Sequence, residues 1–265
     1  VKQAITAINT ASQPVLALDI PSGVSADTGA MLGTAVEATC TVTFIGDKIG
    51  LHTGEAPTYA GDIDFRPLGV KAQAFFDIPP TAWRLDEAML SEALPPRSRT
   101  SHKGSLGHVL VMGGAPGFGG AALLASQAAA RLGAGKVTLA TAQEHLTASL
   151  VRCPEVMARA VRSGADVAEL PANADVVVVG PGMGQEAWGQ AVLQSALQAS
   201  TPLVIDADAL NLLASRWPTL RRDDWILTPH PGEAARLLGC SVADVQADRP
   251  AAARALQRAR GGVVI

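Results

Sequence analysis

HVLVMGGAPGFGGAALLASQAAARLGAGKVTLAT, His108 to Thr141, is the stretch on which the reading of this 265-residue chain turns. An apolar run, His108 to Met112, breaks into Gly113, Gly114, Gly117, Gly119 and Gly120. An alanine-rich segment then leads through Gly133 and Gly135 into a second apolar run. The pattern predicts strand, glycine loop, helix, strand. Five glycines in eight residues cost chain entropy. Their use is to let backbone N–H groups approach a ligand at the helix N-terminus, where the helix dipole favours an anion. Gly117-Phe118-Gly119-Gly120-Ala121-Ala122 also fits the loose dinucleotide fingerprint G-x-G-x-x-A. It is not a Walker A loop, because no Lys-Ser or Lys-Thr follows the glycines. A tight turn explains the same residues without a ligand, with Ala121, Ala122, Ala125, Ala128 and Ala129 letting the helix lie close to the sheet.

From Gly107 onward strand alternates with helix, which predicts parallel strands with helices on both faces. Asp175 to Val179 ends in Gly180-Pro181-Gly182-Met183-Gly184, and Pro202 to Ile205 ends in Asp206-Ala207-Asp208-Ala209-Leu210-Asn211. Trp225 to Leu227 ends in Thr228-Pro229-His230-Pro231-Gly232-Glu233. With the glycine loop, four strands in succession carry glycine or polar groups at their carboxyl ends, and in an open α/β sheet such ends line a common crevice. Asp206 and Asp208 read equally as helix caps and as ligand contacts. His230, flanked by prolines on a strand-to-helix turn, has a ring held in a restricted direction and a neutral form that both donates and accepts. It reads as a substrate contact.

Towards the N-terminus, residues 66 to 107 have the composition of a connector, with one short helix expected over Asp86 to Leu94. Pro79-Pro80 and Pro95-Pro96 argue against a continuous element on either side. Arg97, Arg99, His102 and Lys103 form either a phosphate-facing cluster beside the glycine loop or a solvated linker. Val1 to Ser12 has helical spacing, stopped by Pro14. Val15 to Leu18 reads as a buried strand that delivers Asp19-Ile20-Pro21-Ser22-Gly23 at its carboxyl end. Asp19 there can hold a ribose hydroxyl or cap a turn, and Ser22 can offer an oxygen to a cation or a phosphate. A β-branched strand, Cys40 to Ile45, leads into Gly46-Asp47-Lys48-Ile49-Gly50-Leu51, in which Lys48 also reads as a solvated loop charge.

A net charge of −3 without long runs gives no reason to expect nucleic acid or an anionic membrane as partner. No apolar run approaches the roughly 20 residues of a membrane span, and no basic-then-apolar leader opens the chain; a cytoplasmic location is expected. Cys40, Cys153 and Cys240 are in neither metal nor redox spacing, which favours buried thiols in a reducing compartment. The chain opens on Val1, and Gly261 to Ile265 reads as a strand just beginning, so an internal fragment of a longer protein is expected.

Asp19 to Val24 with Asp27-Thr28-Gly29, Thr43-Phe44 and Lys48-Ile49-Gly50-Leu51 resembles the second half of the NAD(P)H-hydrate epimerase domain. Arg99 to Gly107, Gly113 to Ala121, Gly133-Ala134-Gly135, Gly180 to Gly184, Asp206 to Asn211 and Thr228 to Glu233 together are similar to the ADP- or ATP-dependent NAD(P)H-hydrate dehydratase domain. The order of the two is that of the bifunctional nicotinamide-nucleotide repair family. The resemblance implies an α/β chain: the C-terminal half of a Rossmann-like epimerase domain over residues 1–70, a linker over 71–96, and a ribokinase-like α/β domain over 97–265, truncated at its C-terminus.

The implied substrate is NADH or NADPH whose nicotinamide has taken up water at its 5,6 double bond. The dehydratase phosphorylates the new hydroxyl of the (6S) hydrate from ADP or ATP with Mg2+, and loss of phosphate restores the double bond. The epimerase, with K+, couples the R and S hydrates. Asp19, Ala121, Gly184 and His230 match substrate-binding positions and Ser22 a potassium-site residue, with Gly117, Gly120, Asp206, Asn211 and Glu233 around them. A homo-oligomer is implied. The epimerase's Asn-rich glycine loop has no counterpart here, and the dehydratase's catalytic aspartate is expected beyond Ile265, so no catalytic residue is assigned and impaired activity is expected of this chain alone. Three other readings compete. A ribokinase-like vitamin or sugar kinase would have no use for Asp19 to Gly61. A non-catalytic nucleotide-binding module would bind without turnover. A plain Rossmann dehydrogenase would want an acidic residue about twenty positions after the glycines, where the strand ends Leu139-Ala140-Thr141 and Glu144 lies beyond it.

Overall fold

The computed structural model describes residues 1–75, 77–94 and 96–265; the first proline of the expected Pro95-Pro96 break lies outside them. The chain forms two compact units, Val1–Pro95 with Ala243–Ala252, and Pro96–Val242 with Ala253–Ile265.

In the second unit the strands are β4 (His108–Met112), β5 (Lys136–Thr141), β6 (Met157–Ala160), β7 (Val176–Val179), β8 (Leu203–Ile205), β9 (Trp225–Leu227) and β10 (Val263–Val264). Its helices are α4 (Gly119–Arg131), α5 (Leu146–Arg152), α6 (Ala187–Gln198), α7 (Ala207–Arg216) and α8 (Pro231–Leu238); α9 (Val242–Ala247) falls almost wholly in the first unit, and α10 (Arg249–Arg260) is divided between the two. Among the described residues the strands make one parallel sheet in the order β10-β9-β8-β7-β4-β5-β6. Because β5 lies on one side of β4 and β7 on the other, the winding reverses at β4, and this is the switch point of a doubly wound sheet.

Side chains of a strand alternate between faces, and β4 shows both. Leu110 and Met112 join the core that contains Leu193 of α6 and Leu210 and Leu213 of α7. Val111, with Val109 packed beside it, joins a smaller core with Ala122 of α4, Leu139 and Cys153. A strand covered on both sides has no polar face, which is why HVLVM reads as an unbroken apolar run. The strand expected to begin at the end of the chain forms: Val263 and Val264 pair with Ile226 and Leu227.

Of the two readings of Arg97, Arg99, His102 and Lys103, the phosphate-facing one fails. Strand β4 starts at His108 and runs towards the glycine loop, so the segment feeding it lies at the opposite edge of the sheet. Gly135 and Lys136 donate to Leu106 and Gly107 there (both 3.0 Å). Arg97 Nη2 donates to Gly133 O (2.8 Å), just beyond the C-terminal end of α4, where free carbonyls attract a cation. The buried-thiol expectation holds for Cys153 but not for Cys240, which is exposed after the left-handed Gly239 that ends α8.

The first unit holds α1 (Lys2–Thr10), α2 (Ala56–Ala60), α3 (Glu87–Ala93) and a parallel sheet, β1 (Leu16–Leu18), β2 (Cys40–Phe44) and β3 (Asp62–Arg66), in that order. The short helix expected over Asp86 to Leu94 is α3, with Met89 N–H donating to Asp86 Oδ1 at 2.9 Å. The expectation of a buried β1 fails. At the edge of the sheet only Ala17 points inward, and Leu16 and Leu18 are exposed. Strand β3, Asp-Ile-Asp-Phe-Arg, alternates polar and apolar between Gly61 and Pro67, the pattern of a short half-buried strand, and is not among the strands expected. It is recruited by pairing with β2, with Cys40 opposite Asp62 and Phe44 opposite Arg66. No helix among the described residues is long and apolar enough to cross a membrane.

Leu213 is fully buried in the larger core. Leu213→Ala should therefore lower stability by about 2–5 kcal/mol through lost transfer energy and a residual cavity, read as a shifted midpoint in urea unfolding with an unchanged slope.

Candidate functional site

Strands β9, β8, β7 and β4 are neighbours and parallel, so the four loops at their carboxyl ends share one edge of the sheet. The loops after β4 and β7 meet through backbone bonds, Gly114 N to Pro181 O (3.0 Å) and Ala115 N to Gly182 O (2.7 Å). That approach explains several glycines. A Cβ on Gly113 would lie 2.3 Å from Pro181 O, one on Gly182 2.4 Å from Phe118 O, and one on Gly180 1.8 Å from Asp206 O.

The glycines of the loop after β4 divide into two classes. Gly113 and Gly114 are buried, and Gly119 lies under the ring of His145, so these three serve the chain's own packing. Gly117 and Gly120 are exposed, and a Cβ on either would meet nothing within 4 Å, although the left-handed backbone of Gly117, at φ +82°, itself favours glycine. Helix α4 begins here without a side-chain cap, so its first-turn N–H groups are not satisfied by a capping side chain. Close packing of α4 on the sheet falls to Ala122, which is fully buried, with Ala125 and Ala129 partly so; Ala121 is exposed.

Two residues without a sequence signal brace this loop. Glu144 Oε1 accepts from Gly117 N (2.8 Å), and His145 Nε2 lies 3.0 Å from Ala115 O. Their place just after β5 brings them beside the loop after β4, which no spacing in the sequence reveals.

Neither aspartate after β8 caps α7 through its side chain. Asp206 stands at the cap position, but its Oδ1 accepts from Thr228 Oγ1 (2.9 Å), tying the β8 loop to the β9 loop. Asp208 Oδ2 accepts from Gly184 N (2.9 Å), tying the β8 loop to the β7 loop. Between them Ala207 has φ +47°, a strained conformation for a residue with a side chain.

His230 is the cap of α8. Its Nδ1 accepts from Gly232 N (2.9 Å), while Glu233 Oε2 accepts from His230 N (3.0 Å), a reciprocal capping box. The ring is thus fixed by the helix start rather than by the flanking prolines alone. An accepting Nδ1 places the proton of the neutral ring on Nε2, which lies 3.2 Å from Glu233 Oε1. Glu233 is buried and the His230 side chain 63% exposed, so Nε2 faces the Glu233 carboxylate while part of the ring stays open to solvent. Asn211 Oδ1 accepts from Arg236 Nη1 (2.8 Å), joining α7 to α8.

In the first unit, Asp19 ends β1 with φ +73°, which Asp tolerates better than most residues. Its Oδ1 accepts from Lys48 Nζ and from Phe44 N (3.1 Å), with Thr43 Oγ1 at 3.4 Å. Lys48 also donates to Phe44 O (2.8 Å), so it is tied to the site and is not a free loop charge. A cleft of about 570 Å³ opens beside the pair, with Asp27, Asp47 and Thr81 in its wall. Ser22 is exposed, and its carbonyl accepts from Val36 N (2.9 Å). Among the described residues no three His, Cys, Asp or Glu side chains gather as metal ligands.

The Lys48 ammonium, aided by the Phe44 N–H, holds the Asp19 carboxyl below its usual 3.8. Stabilisation from a lowered carboxyl is present above the unfolded value and is lost as pH falls through the folded one. Lys48→Met should raise the Asp19 pKa and shrink the loss of stability below about pH 3.8, as followed by carboxyl NMR titration; an unmoved Asp19 would exclude Lys48 as the cause. The two glycine classes separate by substitution. Gly113→Ala should cost ~2 kcal/mol or more. Gly120→Ala should leave stability unchanged or raise it by up to ~1 kcal/mol, both read from denaturant melts.

Two family models match the chain: NAD(P)H-hydrate dehydratase over residues 109–265 and YjeF-related protein N-terminus over residues 1–50. The chain is 49% identical over 262 residues to the bifunctional NAD(P)H-hydrate repair enzyme of Coxiella burnetii, covering 98% of this chain and 53% of that protein. It is 42% identical over 265 residues to the repair enzyme of the same name from Escherichia coli K12, covering 100% and 51%. It therefore spans about half the length of these curated relatives. Among solved structures, a ribokinase-like superfamily protein of Enterococcus faecalis V583 matches with TM-score 0.63 at 28% identity, over 68% of this chain and 64% of that one. The ADP/ATP-dependent NAD(P)H-hydrate dehydratase of Bacillus subtilis, co-crystallised with ATP/Mg2+, matches with TM-score 0.57 at 29% identity over the same shares. The doubly wound sheet of the second unit is thus a ribokinase-like α/β fold, and the chain belongs to the NAD(P)H-hydrate dehydratase family.

Proposed function

We propose that this chain works in nicotinamide-nucleotide repair. Its second unit holds the (6S) hydrate of NADH or NADPH for nucleotide-dependent dehydration, and its first unit is part of an epimerase that couples the R and S hydrates. One observation carries the reading: the exposed Gly117 and Gly120 at a helix start with no side-chain cap share a sheet edge with His230, whose half-exposed ring is held by Gly232 N at Nδ1 and by Glu233 Oε1 at Nε2. The repair enzymes of Coxiella burnetii and Escherichia coli, and the Bacillus subtilis dehydratase, support it by name.

The hydrate carries a ring hydroxyl that is a poor leaving group. Phosphorylation makes it a good one, and loss of phosphate with a ring proton restores the 5,6 double bond. This chain's part is to bind and orient. Nε2–H of His230, held beside Glu233 Oε1, is shared with an acceptor oxygen on the substrate, and the first-turn N–H groups of α4 at Gly120 and Ala121 favour an anionic oxygen. Gly184, fixed by Asp208, and the small exposed Ala121 let the dinucleotide approach the backbone. Asp206, Asn211 and Glu233 support the edge from behind by holding Thr228, Arg236 and the His230 cap. In the first unit the Asp19 carboxylate, kept ionised by Lys48, accepts from hydroxyls of the hydrate or its ribose.

ADP or ATP with Mg2+ supplies the phosphoryl group in this reading. Asp206 and Asp208 each already accept a hydrogen bond, and no metal-ligand cluster forms among the described residues, so these groups do not make a Mg2+ site and no step is assigned to them through the metal. Ser22 alone offers too few oxygens for K+. A homo-oligomeric assembly and a cytoplasmic location accompany the reading, with domain limits of 1–70, 71–96 and 97–265.

Binding of hydrated NADH and NADPH, measured calorimetrically, tests it, with the Coxiella burnetii relative as the positive control. Because alanine at 230 would also remove the cap, His230→Ser is the cleaner change: a serine can still accept from Gly232 N but lacks Nε2–H. The expected outcome is binding by this chain that His230→Ser weakens about tenfold, with affinity measured below the melting range because the change also removes the Nε2 neighbour of the buried Glu233. Failure of the chain to bind either hydrate while the relative binds both would overturn the assignment.

A further inference from the structure

The geometry points to an anion-reading subsite between α7 and α8 that takes a phosphate group of the bound dinucleotide; it rests on the functional reading above. A cleft of about 510 Å³ is lined by Gln185, Asn211, Ala214, Ser215 and Arg236. Among the described residues Arg236 is the one charged group in that lining, with no carboxylate in it, although the chain as a whole is net negative.

The guanidinium is oriented rather than loose. Asn211 Oδ1 accepts from Nη1 at 2.8 Å, which leaves the other guanidinium N–H groups and the Asn211 amide nitrogen as donors. Fork-shaped donors of this kind match the paired oxygens of a phosphate better than they match water or a single carbonyl.

The cleft adjoins the groups placed on the dinucleotide. Gln185 follows Gly184, and its Nε2 lies 3.4 Å from Asp208 Oδ1, the carboxylate that also holds Gly184 N. On the other wall, Arg236 Nη1 lies 3.9 Å from where a Cβ on Gly232 would sit, beside the His230 cap. A dinucleotide whose nicotinamide end occupied the loop edge would be elongated and polyanionic, and its phosphates would reach past Gly184 and His230. The phosphate oxygens have two sources, the pyrophosphate bridge common to NADH and NADPH and the 2′-phosphate of NADPH alone.

Arg236→Gln separates them. Arg236 is exposed, so melting is expected to be unchanged. Affinities are measured calorimetrically for hydrated NADH, hydrated NADPH and adenosine 2′,5′-bisphosphate, which carries phosphates but no nicotinamide. The expected result is a loss of about tenfold or more. A loss for both hydrates assigns the pyrophosphate, and a loss confined to the NADPH hydrate and the bisphosphate assigns the 2′-phosphate. Hydrates bound equally by Arg236→Gln and the unaltered chain overturn the subsite and leave the functional reading in place. Arg236-dependent binding of the bisphosphate, with neither hydrate bound, overturns the functional reading and with it the dinucleotide as ligand, and leaves only a phosphate site at Arg236. No binding of any of the three overturns both.

Discussion

Two backbone hydrogen bonds, Gly114 to Pro181 and Ala115 to Gly182, join the loops at the point where the sheet reverses its winding. In a doubly wound sheet the loops on either side of a switch point diverge and leave a crevice. Here the floor of that crevice is closed by the main chain itself. Main chain reaches main chain only where side chains are missing, which accounts for Gly113, Gly180 and Gly182. The other edge loops hang from this floor: Asp208 holds Gly184, and Thr228 holds Asp206.

Because the floor is made of packed backbone, the residues left for a ligand are those with no packing duty. Gly117, Gly120 and Ala121 are exposed while their neighbours Gly113, Gly114 and Ala122 are buried. His230 joins both classes, since both ring nitrogens are held, one by the helix cap and the other by Glu233, while the side chain stays 63% exposed. A histidine held in this way has a defined tautomer, which a solvent-exposed histidine otherwise lacks. The same economy appears in the first unit, where Lys48 orients Asp19 and keeps it charged.

Strand order alone does not separate this fold from a dinucleotide-binding dehydrogenase. Counted from β4, the order is 3-2-1-4-5-6-7, which contains the common doubly wound arrangement. The difference lies in chemistry at the strand ends. The acidic side chain beyond β5, Glu144, is turned onto the glycine loop at Gly117.

The sequence by itself determined the layout of the second unit, because parallel strands buried on both faces must be continuously apolar and must end in loops on one edge. Val176 to Val179 and Trp225 to Leu227 were legible for that reason, as were the candidate residues Gly184, Asp206 and His230 beyond them. Strand β3 was legible too, as a polar–apolar alternation between Gly61 and Pro67, but a short alternation stands out less than an unbroken apolar run. The exposed face of β1 was not legible, because an edge position is set by the neighbouring strand rather than by composition. Only tertiary structure decided which glycines pack and which stay open, that Arg97 serves the far end of α4, and that Arg236 faces Asn211. Each depends on segments 25 or more residues apart being brought into contact, and local pattern carries no record of a distance that the folded chain alone creates.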